Sequence, residues 1–201
     1  MKFSTQLLEW WDQHGRKDLP WQHPRTAYRV WVSEIMLQQT QVKTVIPYFN
    51  RFMERFPDIE SLAAVSNDDV LAYWSGLGYY ARARNLRKTA KICVDNHDAE
   101  LPRKPGELVA LPGIGESTAN AIYSQAFDKP AVILDGNVKR VLSRFFAVEG
   151  WPGKASVHKE LWNIAGQLLP TQRGADYTPV SYTHLTLPTR CHRCRSRWSP
   201  Y

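Results

Sequence analysis

Leu111-Pro112-Gly113-Ile114-Gly115 is an apolar turn with two glycines, set between two stretches of helical periodicity. Pro105-Gly106-Glu107-Leu108-Val109-Ala110-Leu111 can form a short helix, which Pro112 ends while presetting a turn. Gly113 and Gly115 admit positive φ and the close approach of another backbone. The following helix, Ser117 to about Phe127, starts with unpaired N–H groups and the positive end of its dipole facing the turn. An anionic oxygen, such as that of a phosphodiester, is a natural ligand of such a terminus. On these residues alone, a tight connection between two packed helices is an equal reading.

Nearly everything up to Leu169 has helical periodicity, punctuated by Gly, Pro and Asn or Asp, so the sequence predicts an all-α body. Ser4 or Thr5 can cap a first helix that sends Leu7, Leu8, Trp10 and Trp11 to a core and closes at Gly15. Trp21 is the expected anchor of the loop that follows. No run approaches the ~18 apolar residues of a membrane span. The first eleven residues include Glu9 and lack an unbroken apolar stretch, which argues against a secretory signal and for a cytoplasmic address.

The formal net charge of +7 and a pI near 9.4 invite a nucleic-acid reading. Four of those charges are Arg190, Arg193, Arg195 and Arg197, and residues 179–201 contain no acid. The rest of the chain is only mildly basic, so binding must rest on placed groups more than on bulk charge. Three cysteines suggest no disulfide framework: Cys93 lies in a helical pattern, while Cys191 and Cys194 form a lone C-x-x-C, half of a metal site at best. His14, His23, His97 and His158 show no ligand spacing.

Three further stretches carry possible chemistry. Thr26 caps a predicted helix through Tyr28, Val30, Trp31, Val32, Ile35, Met36 and Leu37, apolar on nearly every side, with Glu34 the acid in its middle. Desolvation there would raise the carboxyl pKa and keep a proton available near neutral pH; equally, Glu34 can lie on a wet edge or pair with an arginine. Gly76-Leu77-Gly78-Tyr79-Tyr80-Ala81-Arg82-Ala83-Arg84-Asn85 suits a surface that slides a ring between bases while Arg82 holds phosphate. It also suits an ordinary helix start with solvated arginines and core tyrosines. Finally, Val132-Ile133-Leu134-Asp135-Gly136-Asn137-Val138-Lys139-Arg140 sets a carboxylate at the end of an apolar run, just before another helix.

Together, Glu34, Gln38, Gly78-Tyr79, the Leu111–Gly115 turn and Asp135 resemble the helix-hairpin-helix base-excision glycosylases with a Gly/Pro-rich loop and an essential Asp, and among them the adenine-specific MutY type. The likeness runs from about Leu8 to Thr178. It implies two helical lobes flanking a catalytic cleft: a six-helix domain at residues 26–130, and a second lobe from 1–25 with 131–178. It implies a substrate as well, adenine mispaired with oxidised guanine or guanine in duplex DNA, in a nucleoid-associated bacterial-type protein needing no membrane and no obligate protein partner.

By the same resemblance, Glu34 is the general acid to the flipped base, and Asp135, kept ionised by polar neighbours and a helix N-terminus, stabilises the sugar cation. Gln38 and Tyr79 fill the vacated stack, Asn137 orients, and Leu111, Pro112, Gly113, Ile114, Gly115, Ser117 and Arg82 contact DNA. Similar enzymes of the endonuclease III type hold a lysine at the position of Ser117. A hydroxyl forms no Schiff base, so the resemblance implies a glycosylase without strand cleavage.

The family also carries a four-cysteine [4Fe-4S] motif, which this chain lacks, so no bound cluster is expected. Residues 179–201 resemble out-of-frame translation more than a family segment and are expected to be a disordered tail. Without the family's next helices, Leu161, Trp162 and Leu168 are expected to be left exposed.

Overall fold

The computed structural model describes residues 3–179, and all regular structure among them is helical, as the periodicity predicts. Two compact units divide the chain: Arg16–Lys129 is one, and the residues on either side of it, 3–15 with 130–179, form the other. The division falls at Gly15, earlier than residue 25, because Leu19 and Trp21 are buried in the core of the larger unit. No helix among the described residues is long and apolar enough to cross a membrane.

The larger unit contains α2 (Ala27–Leu37), α3 (Val42–Arg55), α4 (Ile59–Ala64), α5 (Asn67–Trp74), α6 (Ala81–Asn96), α7 (Pro105–Val109) and α8 (Glu116–Phe127). That is one helix more than the resemblance implied, α7 being a single short turn before the hairpin. The starts of the short helices are written locally. Thr26 Oγ1 accepts from the Arg29 N–H, and Asp58 with Ser61 and Ser66 with Asp69 form capping boxes at α4 and α5. Helix α2 packs on α8 and α3, and α4 packs on α6. Between them lie Trp31, Phe49, Phe52, Phe56, Leu62, Trp74, Leu86, Leu108 and Ile122, all essentially without solvent contact. The Phe52 ring sits 4.8 Å from that of Phe56 and 6.1 Å, edge-on, from that of Trp74.

The smaller unit contains α1 (Phe3–His14), α9 (Gly136–Phe145), α10 (Ala155–Gln167) and α11 (Gly174–Pro179). Helix α1 starts at Phe3, so Ser4 is a buried residue of its first turn and not its cap. Trp11 is buried with Leu7 and Tyr177, whereas Trp10, one residue along the helix and so turned to another face, is 40% exposed. Arg173 fixes this end of the unit, its Nη1 and Nη2 reaching Asp12 at 3.1 and 2.6 Å and its Nε reaching Asp176 at 3.0 Å.

Helices α9 and α10 share a second apolar cluster in which Leu134, Val138 and Leu142 cover Val157 and Leu161. The expectation that Leu161 is exposed is therefore wrong: it is completely buried, and Trp162 and Leu168 are partly so. Unit-internal packing supplies the cover assigned to absent helices.

Truncating Phe52 to Ala removes the ring that joins α3 to α5 and should cost about 3–5 kcal/mol. Urea unfolding followed by tryptophan fluorescence should show a lower midpoint at unchanged slope. An unaltered midpoint would remove Phe52 from the core.

Candidate functional site

Helix α2 buries Tyr28, Val30, Trp31, Val32, Ser33, Ile35 and Met36, and Ser33 discharges its hydroxyl onto the Val30 carbonyl at 2.8 Å. Glu34 is half-buried. Its Oε1 accepts a 2.6 Å hydrogen bond from Nε2 of Gln125, a buried residue of α8 that the sequence reading did not single out. Ninety-one positions separate the two, and nothing in the polar spacing of α8 announces the pairing.

At the end of α2, Gln38 is half-buried and points its Nε2 at Thr118 Oγ1, 3.4 Å away, while Gln39 turns into the left-handed region at φ +57°. Arg82 closes this turn. Its Nη1 donates to the carbonyls of Ile35, Met36 and Gln38 at 2.8, 3.0 and 2.6 Å, and its Nη2 to those of Leu77 and Gly78 at 3.2 and 3.3 Å. The guanidinium also lies over the Trp74 and Tyr79 rings.

The expectation that Arg82 holds phosphate is thus corrected: it holds protein backbone, capping α2 and pinning the Gly76–Tyr80 loop. In that loop Gly76 has φ +98°, where an added Cβ would meet Tyr48 Oη at 2.1 Å. Tyr79 adopts φ +48° and is 62% exposed. Gln38, Gln39, Tyr79 and Tyr80 line one open depression, with Arg82 and Arg84. Left-handed conformations at two non-glycine residues beside one depression are the kind of strain that surrounding structure must over-determine.

The hairpin turn is gripped from α6. Thr89 Oγ1 donates to the Pro112 carbonyl at 3.0 Å, and Asn85 lies so close to Gly113 that an added Cβ would come within 2.9 Å of its own Cβ. Gly113 has φ +78°, so both space and conformation require glycine there. Gly115 does not share that need: it is extended and exposed, and is the N-cap of α8, which no side chain caps.

Leu111 and Ile114 are buried, at 5% and 4% exposure, so these two anchor the turn and their side chains offer nothing to a ligand. What remains outward is backbone at Gly113 and Gly115 and the first turn of α8, including half-buried Ser117. Gln38, Arg82, Pro112 and Gly113 line one cavity with Trp31 and Asn85, which ties the end of α2 to the hairpin.

In the smaller unit, Asp135 is the N-cap of α9, its Oδ1 accepting from the Val138 N–H at 2.8 Å. Burial raises its pKa above the ordinary aspartate value of 3.8, against the opposing pull of the Val138 and Asn137 N–H groups, Arg140 and Lys139. The helix terminus and polar neighbours expected to keep it ionised are present, and desolvation is the larger influence on its pKa. Asn137 Oδ1 accepts from Arg140 at 2.7 Å.

The cysteines of this chain do not fit a cubane cluster, which takes four thiolates. There are three, and Cys93 is packed in the core of the larger unit with its thiol pushed by burial to about 11. Cys191 and Cys194, with the expected tail, lie outside the described residues.

Residues 32–167 match the family described as HhH-GPD superfamily base excision DNA repair protein. The chain is 48% identical over 168 residues to an adenine DNA glycosylase of Buchnera aphidicola subsp. Schizaphis graminum, covering 84% of this chain and 48% of that protein. It is 45% identical over 188 residues to the adenine DNA glycosylase of Mus musculus, covering 89% of this chain and 36% of that one. The chain thus spans about half or less of the length of these relatives. Among solved structures, a thermostable thymine-DNA glycosylase superposes with a TM-score of 0.83 at 26% identity, covering 94% of this chain and 88% of the other. With the gripped hairpin, Asp135 capping α9 and a family match across most of its length, the chain belongs to the HhH-GPD superfamily of base excision DNA repair proteins.

Proposed function

We propose that this chain carries the catalytic half of a monofunctional adenine DNA glycosylase, acting on adenine mispaired with oxidised guanine or guanine in duplex DNA. The observation that carries the reading is Glu34, a half-buried carboxyl group on an otherwise apolar helix, held at Oε1 by a buried amide. The adenine DNA glycosylase names of its relatives agree with it.

A base inside a duplex must first leave the stack, at a cost of a few kcal/mol. The exposed backbone of Gly113 and Gly115 and the uncapped start of α8 take a phosphate. Exposed Tyr79, beside Gln38, fills the space left by the base. Adenine leaves poorly as an anion, so Glu34 donates a proton to a ring nitrogen as the C1′–N bond breaks and its electron pair departs with the base. The sugar becomes oxocarbenium-like, and the Asp135 carboxylate stabilises that cation. Water then adds its oxygen to C1′ and returns a proton to Glu34, leaving free adenine and an abasic site. Ser117 has no amine with which to form a Schiff base, so the strand stays intact.

The full chain in excess over a duplex with adenine opposite oxidised guanine should release adenine in a single turnover, with no adduct trapped by borohydride. Asp135→Asn should lower release on the order of 10³-fold. Duplex affinity and folding should be kept, because Asn caps a helix as well as Asp does. Binding without release by the parent chain would leave only a phosphate-gripping scaffold.

The pKa direction at Asp135 gives a second expectation. The anion is the active form, so the second-order rate constant should fall as pH drops through the raised pKa, at a pH above the 3.8 of an ordinary aspartate. An acid limb at or below 3.8 would contradict it.

Gly113→Ala must place a Cβ at φ +78° against Asn85. Its strain of about 1–3 kcal/mol should appear as a weaker grip on any duplex, matched or mismatched alike. Unchanged affinity would take the hairpin out of the interface.

A further inference from the structure

We propose that Gln125 is a positioning residue for Glu34, fixing the carboxyl rotamer and reserving Oε2 as the oxygen that carries the transferable proton. The catalytic consequence rests on the glycosylase reading above; the contact itself does not.

Gln125 is only 5% exposed, on the face of α8 that also buries Ala121, Ile122 and Ser124. Helix α8 packs against α2, so its buried amide is carried to the acid by two rigid elements and not by a loop. A primary amide in such a place costs free energy unless its hydrogen-bonding groups are met. Here Nε2 donates to Oε1 of Glu34 at 2.6 Å, a short, direct bond.

The donor decides which oxygen does what. An N–H aimed at Oε1 makes that atom the acceptor in both protonation states, so the proton of the neutral acid resides on Oε2. When Glu34 acts, the Oε2–H bond breaks and a new N–H bond forms on the base. The negative charge left on the carboxylate is then already met at Oε1, with no group needing to move. Without the amide, Glu34 loses the bond that ties Oε1 to α8, and the aim of the proton-bearing oxygen is less closely fixed.

The test has two arms on the full chain. In protein labelled with ¹⁵N at glutamine side chains, the Gln125 amide proton should resonate downfield of the other glutamines, and Glu34→Gln should move it upfield by weakening the acceptor. In single-turnover release, Gln125→Met, close to the same length without a donor, should slow the saturated rate by about 10- to 100-fold. Its half-saturating protein concentration should change by less than about twofold.

A Gln125 proton that does not respond to Glu34→Gln overturns the proposal. So does a variant whose rate, half-saturation and thermal midpoint all fall together, which is the mark of a packing role. The labelled-amide arm needs no catalysis. If the parent chain releases no adenine, the glycosylase reading fails while that arm still decides the contact.

Discussion

One guanidinium sets the geometry on which the candidate interface of the larger unit depends. The last carbonyls of α2 have no intrahelical partners, and the loop before α6 bends through Gly76, Gly78 and Tyr79, all at positive φ. Arg82 answers both with one planar fork, reaching three carbonyls of the first and two of the second. A lysine ammonium, a single point with three donors, could not bridge the two segments in this way. The loop is therefore held in the conformation that leaves the Tyr79 ring exposed beside Gln38. Left-handed backbone at Tyr79 and Gln39 is unfavourable by on the order of 1–3 kcal/mol each, and charge-assisted bonds on both sides of it are what offset that cost.

Helix α8 works as a ruler in the same unit. Its first turn, uncapped behind Gly115, faces the hairpin, and nine residues further on Gln125 meets Glu34. At 1.5 Å per residue the two are separated by about 13 Å of helix axis. Because α8 packs on α2 and buries Ala119 and Ile122 completely, the distance from the hairpin to Glu34 is set by a rigid rod. In the proposed reaction, a duplex seated on the hairpin would find the acid at a fixed offset along that rod, which is how positioning lowers a barrier without new chemistry.

Much of this was legible because it is local. The Thr26 cap, the hairpin turn, Asp135 ahead of its helix and the apolar run around Glu34 are written within a few residues of each other, and short-range physics fixes them. What escaped was long-range. Arg82 looked like a phosphate ligand because its spacing with Arg84 shows positive charge but not the carbonyls more than forty positions away that claim it. Leu111 and Ile114 sat in a motif defined by its ligand, although apolar side chains in a turn are more simply its anchors. Gln125 gave no signal, since a glutamine on an alanine-rich helix reads as solvent-facing until its partner helix is known. Leu161 was expected to be exposed from an argument about absent neighbours, and the face of α9 that covers it was already in the sequence.

Asp135 shows why capping alone does not account for its side chain. Asparagine would satisfy the Val138 N–H equally well and would carry no charge into a half-buried site. The aspartate instead meets a desolvation penalty large enough to raise its pKa despite two backbone donors and two nearby cations. A residue more expensive than its neutral isostere, at a position where the isostere would fold as well, points to work done by the charge itself. A cationic sugar is a partner that such a charge would stabilise and an amide would not, which is the role proposed for Asp135, while the hydrogen bond to Val138 serves the fold.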